Sequence, residues 1–151
     1  MTQRKILARD IIIQIESSTP NTWYSIEGLT SATPNPGEDA EDTDVTDFNS
    51  AGRPEYIPTQ RGASISMEGW KLLDSVTGDD APGQGRAETL ADVLGYDGIG
   101  RLRFRHPLQT TWKVWNAVLT PGEIGGGGNN DAGAWNLVAK RSGAASSASV
   151  V

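Results

Sequence analysis

Residues 39–70 read Asp-Ala-Glu-Asp-Thr-Asp-Val-Thr-Asp-Phe-Asn-Ser-Ala-Gly-Arg-Pro-Glu-Tyr-Ile-Pro-Thr-Gln-Arg-Gly-Ala-Ser-Ile-Ser-Met-Glu-Gly-Trp, and no other stretch constrains the fold as much. It begins acidic, turns through 49–54, and closes on a run from Ala63 to Trp70 with the period-two alternation of a half-buried strand. This is the pattern of a long β-hairpin with a large polar tip. The tip has too little apolar content to pack on its own body, so it is either a mobile loop or a contact made within an assembly.

On either side of the hairpin the chain alternates between short strands and turns. Residues 1–8 form a polar arm. A strand over 9–16 places Ile11, Ile13 and Ile15 on one face, and a turn cluster at 17–21 leads to a second strand over 22–28, making a hairpin. Residues 29–42 read as a connection too broken by proline and acidic residues for regular structure. Residues 77–83 read as a loop.

One helix is expected, over 86–94. Its stripe is Ala87, Leu90, Ala91 and Leu94, with Glu88 in the first turn and Gly95 as the stop. A helix this short needs a sheet to pack on. Residues 99–106 alternate, with Leu102 and Phe104 opposite Arg101, Arg103 and Arg105. The strand over 110–120 is apolar on both faces and so requires cover on both. A glycine-rich loop over 121–133 precedes a last strand over 134–141, with Trp135, Leu137 and Ala139 on one side. The small-residue segment 142–151 reads as disordered or weakly docked. The pattern predicts an N-terminal arm (1–8), a β domain (9–143) and a flexible tail (144–151). The fold class is mainly β: a small β-sandwich or barrel with one flanking α-helix and a long extended hairpin loop.

A length of 151 residues supports one domain with a real core. No apolar run is long enough to cross a bilayer as a helix, and the basic N-terminus lacks the apolar segment of a secretory signal, so synthesis in the cytoplasm is expected. The absence of cysteine excludes disulfides, thiolate zinc sites and thiol catalysis, and a single histidine excludes multi-histidine zinc sets. A net charge of −6 argues against tight nucleic-acid binding. The charge is also uneven. Residues 10–52 contain nine Asp and Glu and no Lys or Arg, so all thirteen basic residues lie outside that span. The acidic segment is either solvated or set against the basic flanks, within one subunit or across a subunit boundary.

Catalytic and ligand-binding chemistry finds little support. Counted from Asp42, the Ca²⁺-loop template meets Thr46, Asp47 and Arg53 where it needs Asp or Asn, Gly and Glu. Gly125–Gly128 lacks the Lys-Ser/Thr pair and following helix of a phosphate loop. His106 has no nucleophile elbow to serve. Arg101, Arg103 and Arg105 have a spacing that could meet phosphates, but no aromatic–basic interleaving is expected around them, and the acidic chain favours an ion-pair stripe facing residues 38–47 of the same or a neighbouring subunit. No catalytic residue, cofactor or metal is assigned, and the protein is not expected to be an enzyme.

The segments Asp44-Val45-Thr46-Asp47-Phe48-Asn49-Ser50-Ala51-Gly52, Glu55-Tyr56-Ile57-Pro58 and Gly62-Ala63-Ser64-Ile65-Ser66-Met67-Glu68-Gly69 resemble the central signature of tail tube (major tail) proteins of long-tailed bacteriophages. Together with the order of elements, the resemblance covers 9–143. It implies a virion structural protein whose homohexameric rings stack helically into a hollow tube, each subunit giving two hairpins to a barrel of twenty-four strands. Strands about 4.8 Å apart and tilted by about 40° give that barrel a diameter of roughly 48 Å, wide enough for duplex DNA after roughly 10 Å is taken by side chains. The implied partners are further copies of the chain, tape-measure, tail-tip and terminator proteins, and DNA passing through without specific binding. The implied location is the virion tail, assembled in the host cytoplasm.

On this view Asp39, Asp42, Asp44, Asp47, Phe48, Tyr56 and Ile57 belong to the inter-ring contact, and Ser64, Ser66 and Glu68 face the lumen while Ile65 and Met67 face the core. Residues 1–8 and 142–151 are placed on adjacent subunits. The alternatives are the tube protein of a contractile tail or injection system and, from another class, a surface- or carbohydrate-binding β-sandwich suggested by the five tryptophans.

Overall fold

The computed structural model describes residues 2–150; Met1 and Val151, the outermost residues of the expected arm and tail, lie outside the described residues. Ten strands and one α-helix form among them. In chain order they are β1 (Ile12–Glu16), β2 (Trp23–Ser25), β3 (Leu29–Asn35), β4 (Glu41–Asp44), β5 (Tyr56–Gln60), β6 (Ser64–Trp70), α1 (Pro82–Ala91), β7 (Ile99–Arg105), β8 (Thr111–Ile124), β9 (Ala134–Arg141) and β10 (Ser146–Ser149). All pairings are antiparallel. The main sheet runs β2-β1-β7-β8-β9-β6-β3, with β10 beside β8, and β4 and β5 form a separate two-stranded ribbon.

The link between β2 and β3 fixes the shape of the sheet. These strands are its opposite edges, yet only residues 26–28 separate them in sequence. Four Cα–Cα steps reach at most about 15 Å, whereas seven strands laid flat would hold their edges roughly 29 Å apart. The sheet must therefore curl into an incomplete barrel. It stays open, because β2 and β3 do not pair. The link is tied to both sides: the Ile26 amide donates to the Ile13 carbonyl and the Trp70 amide to the Gly28 carbonyl, each at 2.9 Å. Glycine is required at this closure, since a Cβ on Gly69 would strike the Gly28 carbonyl.

The inside of the curl is one apolar core. Ile13 and Ile15 of β1, Leu102 of β7, Trp115, Ala117 and Leu119 of β8, Trp135, Leu137 and Ala139 of β9 and Ile65 and Met67 of β6 meet there, capped by Ala87 and Leu90 of α1. Phe104 packs edge-on against Trp115, ring centroids 5.0 Å apart.

One polar residue sits at the closure and could not be singled out from the sequence. Gln84, in the first turn of α1, is wholly buried. Its Nε2 donates to the carbonyls of Glu27 (3.0 Å) and Trp70 (2.8 Å), and its Oε1 accepts from the Leu72 amide at 2.9 Å. It satisfies backbone groups of the β2–β3 link and of the chain leaving β6 together. Gly83 beside it has no room for a Cβ against the Ser25 carbonyl.

Next to this staple, Lys71 Nζ lies 2.6 Å from Glu88 Oε2 and 2.9 Å from Asp80 Oδ1, in a largely buried pocket. Burial pushes the ammonium pKa down, but the hydrogen bonds and charges of Glu88 and Asp80 outweigh it and raise the value. A raised lysine pKa gives stability that is complete below the ordinary value of 10.5 and is lost as pH climbs through the folded-state value. Lys71→Met should therefore cost about 2–3 kcal/mol across neutral pH, because Glu88 is left half-desolvated. The gap to the native protein should narrow only in strongly alkaline buffer, as read from paired thermal melts.

Four sequence expectations are corrected. Residues 29–35 are a strand, not irregular connection: Pro34 is tolerated because β3 is an edge and needs no donor on its free side. The hairpin therefore starts at Leu29, with β3–β6 as its base and β4–β5 as its far half. The helix spans Pro82–Ala91, a turn earlier than the 86–94 stripe, with Pro82 in its first turn; Leu94 lies beyond it and is exposed. The tail is not wholly irregular, since Ser146–Ser149 pairs with Thr111–Val114 of β8.

Candidate assembly surface

The unit β3-β6-β9-β8 is a four-stranded antiparallel sheet made of two hairpins. Its inner face is core. On its outer face, cross-strand register aligns Thr33, Ser66, Val138 and Thr120 in one row and Ser31, Glu68 and Asn136 in the next. Ser66 and Glu68 are exposed, while Ile65 and Met67 are buried. Ser64, expected on the same open face, is buried where the ribbon joins the sheet. The face is mainly hydroxyl and amide. Glu68 is its acid, and Lys140 is held by Asp39 at 2.8 Å, so the face is less negative than the acidic composition suggests.

This unit has two free backbone edges. β3 pairs only with β6. β8 is flanked by β7 only from Lys113 to Val118, so its segment from Leu119 to Ile124 has β9 on one side and no strand on the other. Unpaired edges of this length invite strand addition from another chain.

The ribbon projects from the far end of the β3–β6 hairpin. Every residue of β4 and β5 is exposed, and among the described residues their substantial packing is with each other. Phe48 is fully exposed at the tip, with Tyr56 and Ile57 open along β5. The ribbon is nevertheless ordered from within. Asp47 caps the short turn Phe48–Ser50 by accepting from the Ser50 amide at 3.1 Å. Asp44 accepts from the Thr46 amide at 2.9 Å, and hydrogen bonding from the Thr46 side chain and then its backbone holds the carboxyl below its usual pKa. Asp42 meets Arg61 at 3.1 Å.

The arginine stripe differs from expectation within the subunit. None of its residues touches 38–47. Arg101 pairs with Glu16 at 2.9 Å, Arg103 Nε donates to Gln14 Oε1 at 2.7 Å, and Arg105 donates to the carbonyls of Pro107 and Gln109. The three guanidinium groups interleave with two indoles. Arg101 and Arg103 stack on Trp23, and Arg103 and Arg105 on Trp112, at 4.3–5.5 Å from the ring centroids. Burial, then the charges of Arg101 and Arg105, pull the Arg103 pKa down. Period-two spacing on β7 signalled the arginines; the indoles come from β2 and β8, so only the sheet order brings the ladder together.

No protein-family model matches the chain, and no curated protein matches it. Solved structures do. It superposes on a chain of the virion of a native gene transfer agent particle with a TM-score of 0.67 at 21% identity, covering 96% of this chain and 100% of that one. A chain of the tail of an empty gene transfer agent particle, refined helically with C6 symmetry, gives 0.66 at 19% identity, covering 94% and 98%. A chain of the sheath–tube complex of an extracellular contractile injection system in its extended state gives 0.58 at 12% identity, covering 97% and 93%. The chain thus has the fold shared by chains of these tail and tube assemblies, the fold implied by the tail-tube resemblance of residues 44–69.

Proposed function

We propose that this protein is a structural subunit of a phage-like tail tube, six copies closing a ring and rings stacking into a hollow conduit. The observation that carries the reading is the β3-β6-β9-β8 unit: four strands, a small-polar outer face and two unpaired edges. Pairing the β3 edge of one copy with the free segment of β8 in the next removes both edges at once, and closed rotation turns this heterologous contact into a ring. Six such units supply the twenty-four strands of the barrel. Ser66 and Glu68 then face the bore, where the one lysine of the face, Lys140, is already paired with Asp39, so hydroxyls, one acid and an ion pair give DNA little to release counterions against. The ribbon carries Asp39, Asp42, Asp44, Asp47, Phe48, Tyr56 and Ile57 to copies in the adjoining ring.

Tape-measure, tip and terminator proteins are the expected partners at the tube ends, and the virion tail, built in the host cytoplasm, is the location. The protein does no catalysis in this role. A sheath outside the tube is compatible with the same subunit. A carbohydrate-binding module fits less well, because three of the five tryptophans are buried and Trp23 is covered by arginines. Negative-stain microscopy of the concentrated protein tests the reading: rings or hollow rods are expected, and dispersed monomers at every concentration would refute it.

A further inference from the structure

The molecule carries two surfaces of opposite charge that do not meet within one copy. The ribbon presents Glu41, Asp44, Asp47 and Glu55 to solvent with a fully exposed Phe48 at its tip. The ladder on β7 presents three arginines with one carboxylate, Glu16, among them. Just past Arg105, whose guanidinium donates to the Pro107 carbonyl, the chain forms a cavity of about 310 Å³ walled by Ile6, Leu7, Pro107 and Leu108. Arg4, Lys5, Asp10 and His106 complete its lining. The cavity is large enough for a phenyl ring, and its lining carries two cations, Arg4 and Lys5, against one acid, Asp10.

The competing apolar surface lies past the end of α1, where Leu94 and Tyr96 stand in solvent beside Val93 and Val118. Its neighbours include Asp92 and Asp97, which would repel an acidic ribbon. Charge therefore selects between the two.

We propose that the ribbon of one copy docks on a second copy, its acidic residues along the Arg–Trp ladder and Phe48 in the cavity of Ile6, Leu7 and Leu108. This names the landing site of the contact and rests on the tube reading above. The ladder is then a receptor whose unneutralised guanidinium charge is completed only on assembly, and the indoles keep the three arginines parallel and extended before the partner arrives.

The chain has no cysteine, so engineered pairs report without background. The double variant Phe48→Cys with Leu108→Cys is assembled under reducing conditions, checked for rods, and then oxidised. A ladder of covalent dimers and higher multimers is expected, exceeding by at least about tenfold that from Phe48→Cys with Leu94→Cys. Rods that cross-link through position 94, or through neither, would overturn the docking site while leaving the tube reading intact. Absence of rods from the native chain and from both variants would overturn the two together.

Discussion

Replacing residues 41–60 by a short Gly-Ser turn should yield a folded monomer that forms no tubes. The expectation follows from how the ribbon is held. Its strands pair only with each other, and its exposed residues contribute no side chain to the core. The ties of 41–60 to the rest of the chain are surface interactions, chiefly Asp42 with Arg61, and exposed ion pairs contribute little. The excised chain should therefore melt within about 1 kcal/mol of the intact one. Assembly should suffer far more. The ribbon carries Phe48, Tyr56 and Ile57, and exposed aromatic anchors of this kind provide most of the energy of protein contacts. Calorimetry paired with sedimentation separates the two effects. A variant that unfolds would show that the ribbon belongs to the fold; one that still forms rods would remove it from the assembly.

Gln84→Leu should destabilise the monomer by roughly 3–6 kcal/mol, a large share of the ordinary stability of a domain. The side chain is close in volume, so the cost is not a cavity. It comes from three backbone groups, the Leu72 amide and the Glu27 and Trp70 carbonyls, left without partners in a part-buried setting against an apolar side chain. Gln84→Glu should be as damaging, since a carboxylate would confront two carbonyl oxygens it cannot donate to. Denaturant unfolding of both variants provides the check. If the leucine variant were neutral, the closure would depend on packing and not on this amide.

The position and inward face of most strands could be read from periodicity because the core is built from alternation. Ile13 and Ile15, Ile65 and Met67, and Trp135, Leu137 and Ala139 all face inward as their spacing required. What escaped was structure held by backbone bonding with no apolar signature. β3, with Pro34 inside it and Pro36 just past its end, and β10, made of serine and alanine, are strands because a neighbour offers them a ladder. Gln84 was invisible for a related reason, as its three partners are backbone groups from distant segments. At the assembly surface, the exposed Ser66 and Glu68 and the acidic ribbon followed from local sequence. The ladder did not, because Trp23, the arginines and Trp112 come from three strands that only the sheet order makes neighbours. Ser64 was misplaced because alternation does not anticipate the cover given by the ribbon junction.

The central claim is that β3 of one copy completes its sheet on the Leu119–Ile124 segment of the next, leaving Glu68 on the bore. A cryo-EM map of the assembled tube measures this directly. The account predicts main-chain hydrogen bonds across that seam, with the Ser66 and Glu68 side chains in the lumen; a β3 edge left in solvent, or Glu68 turned to the outer wall, would contradict it.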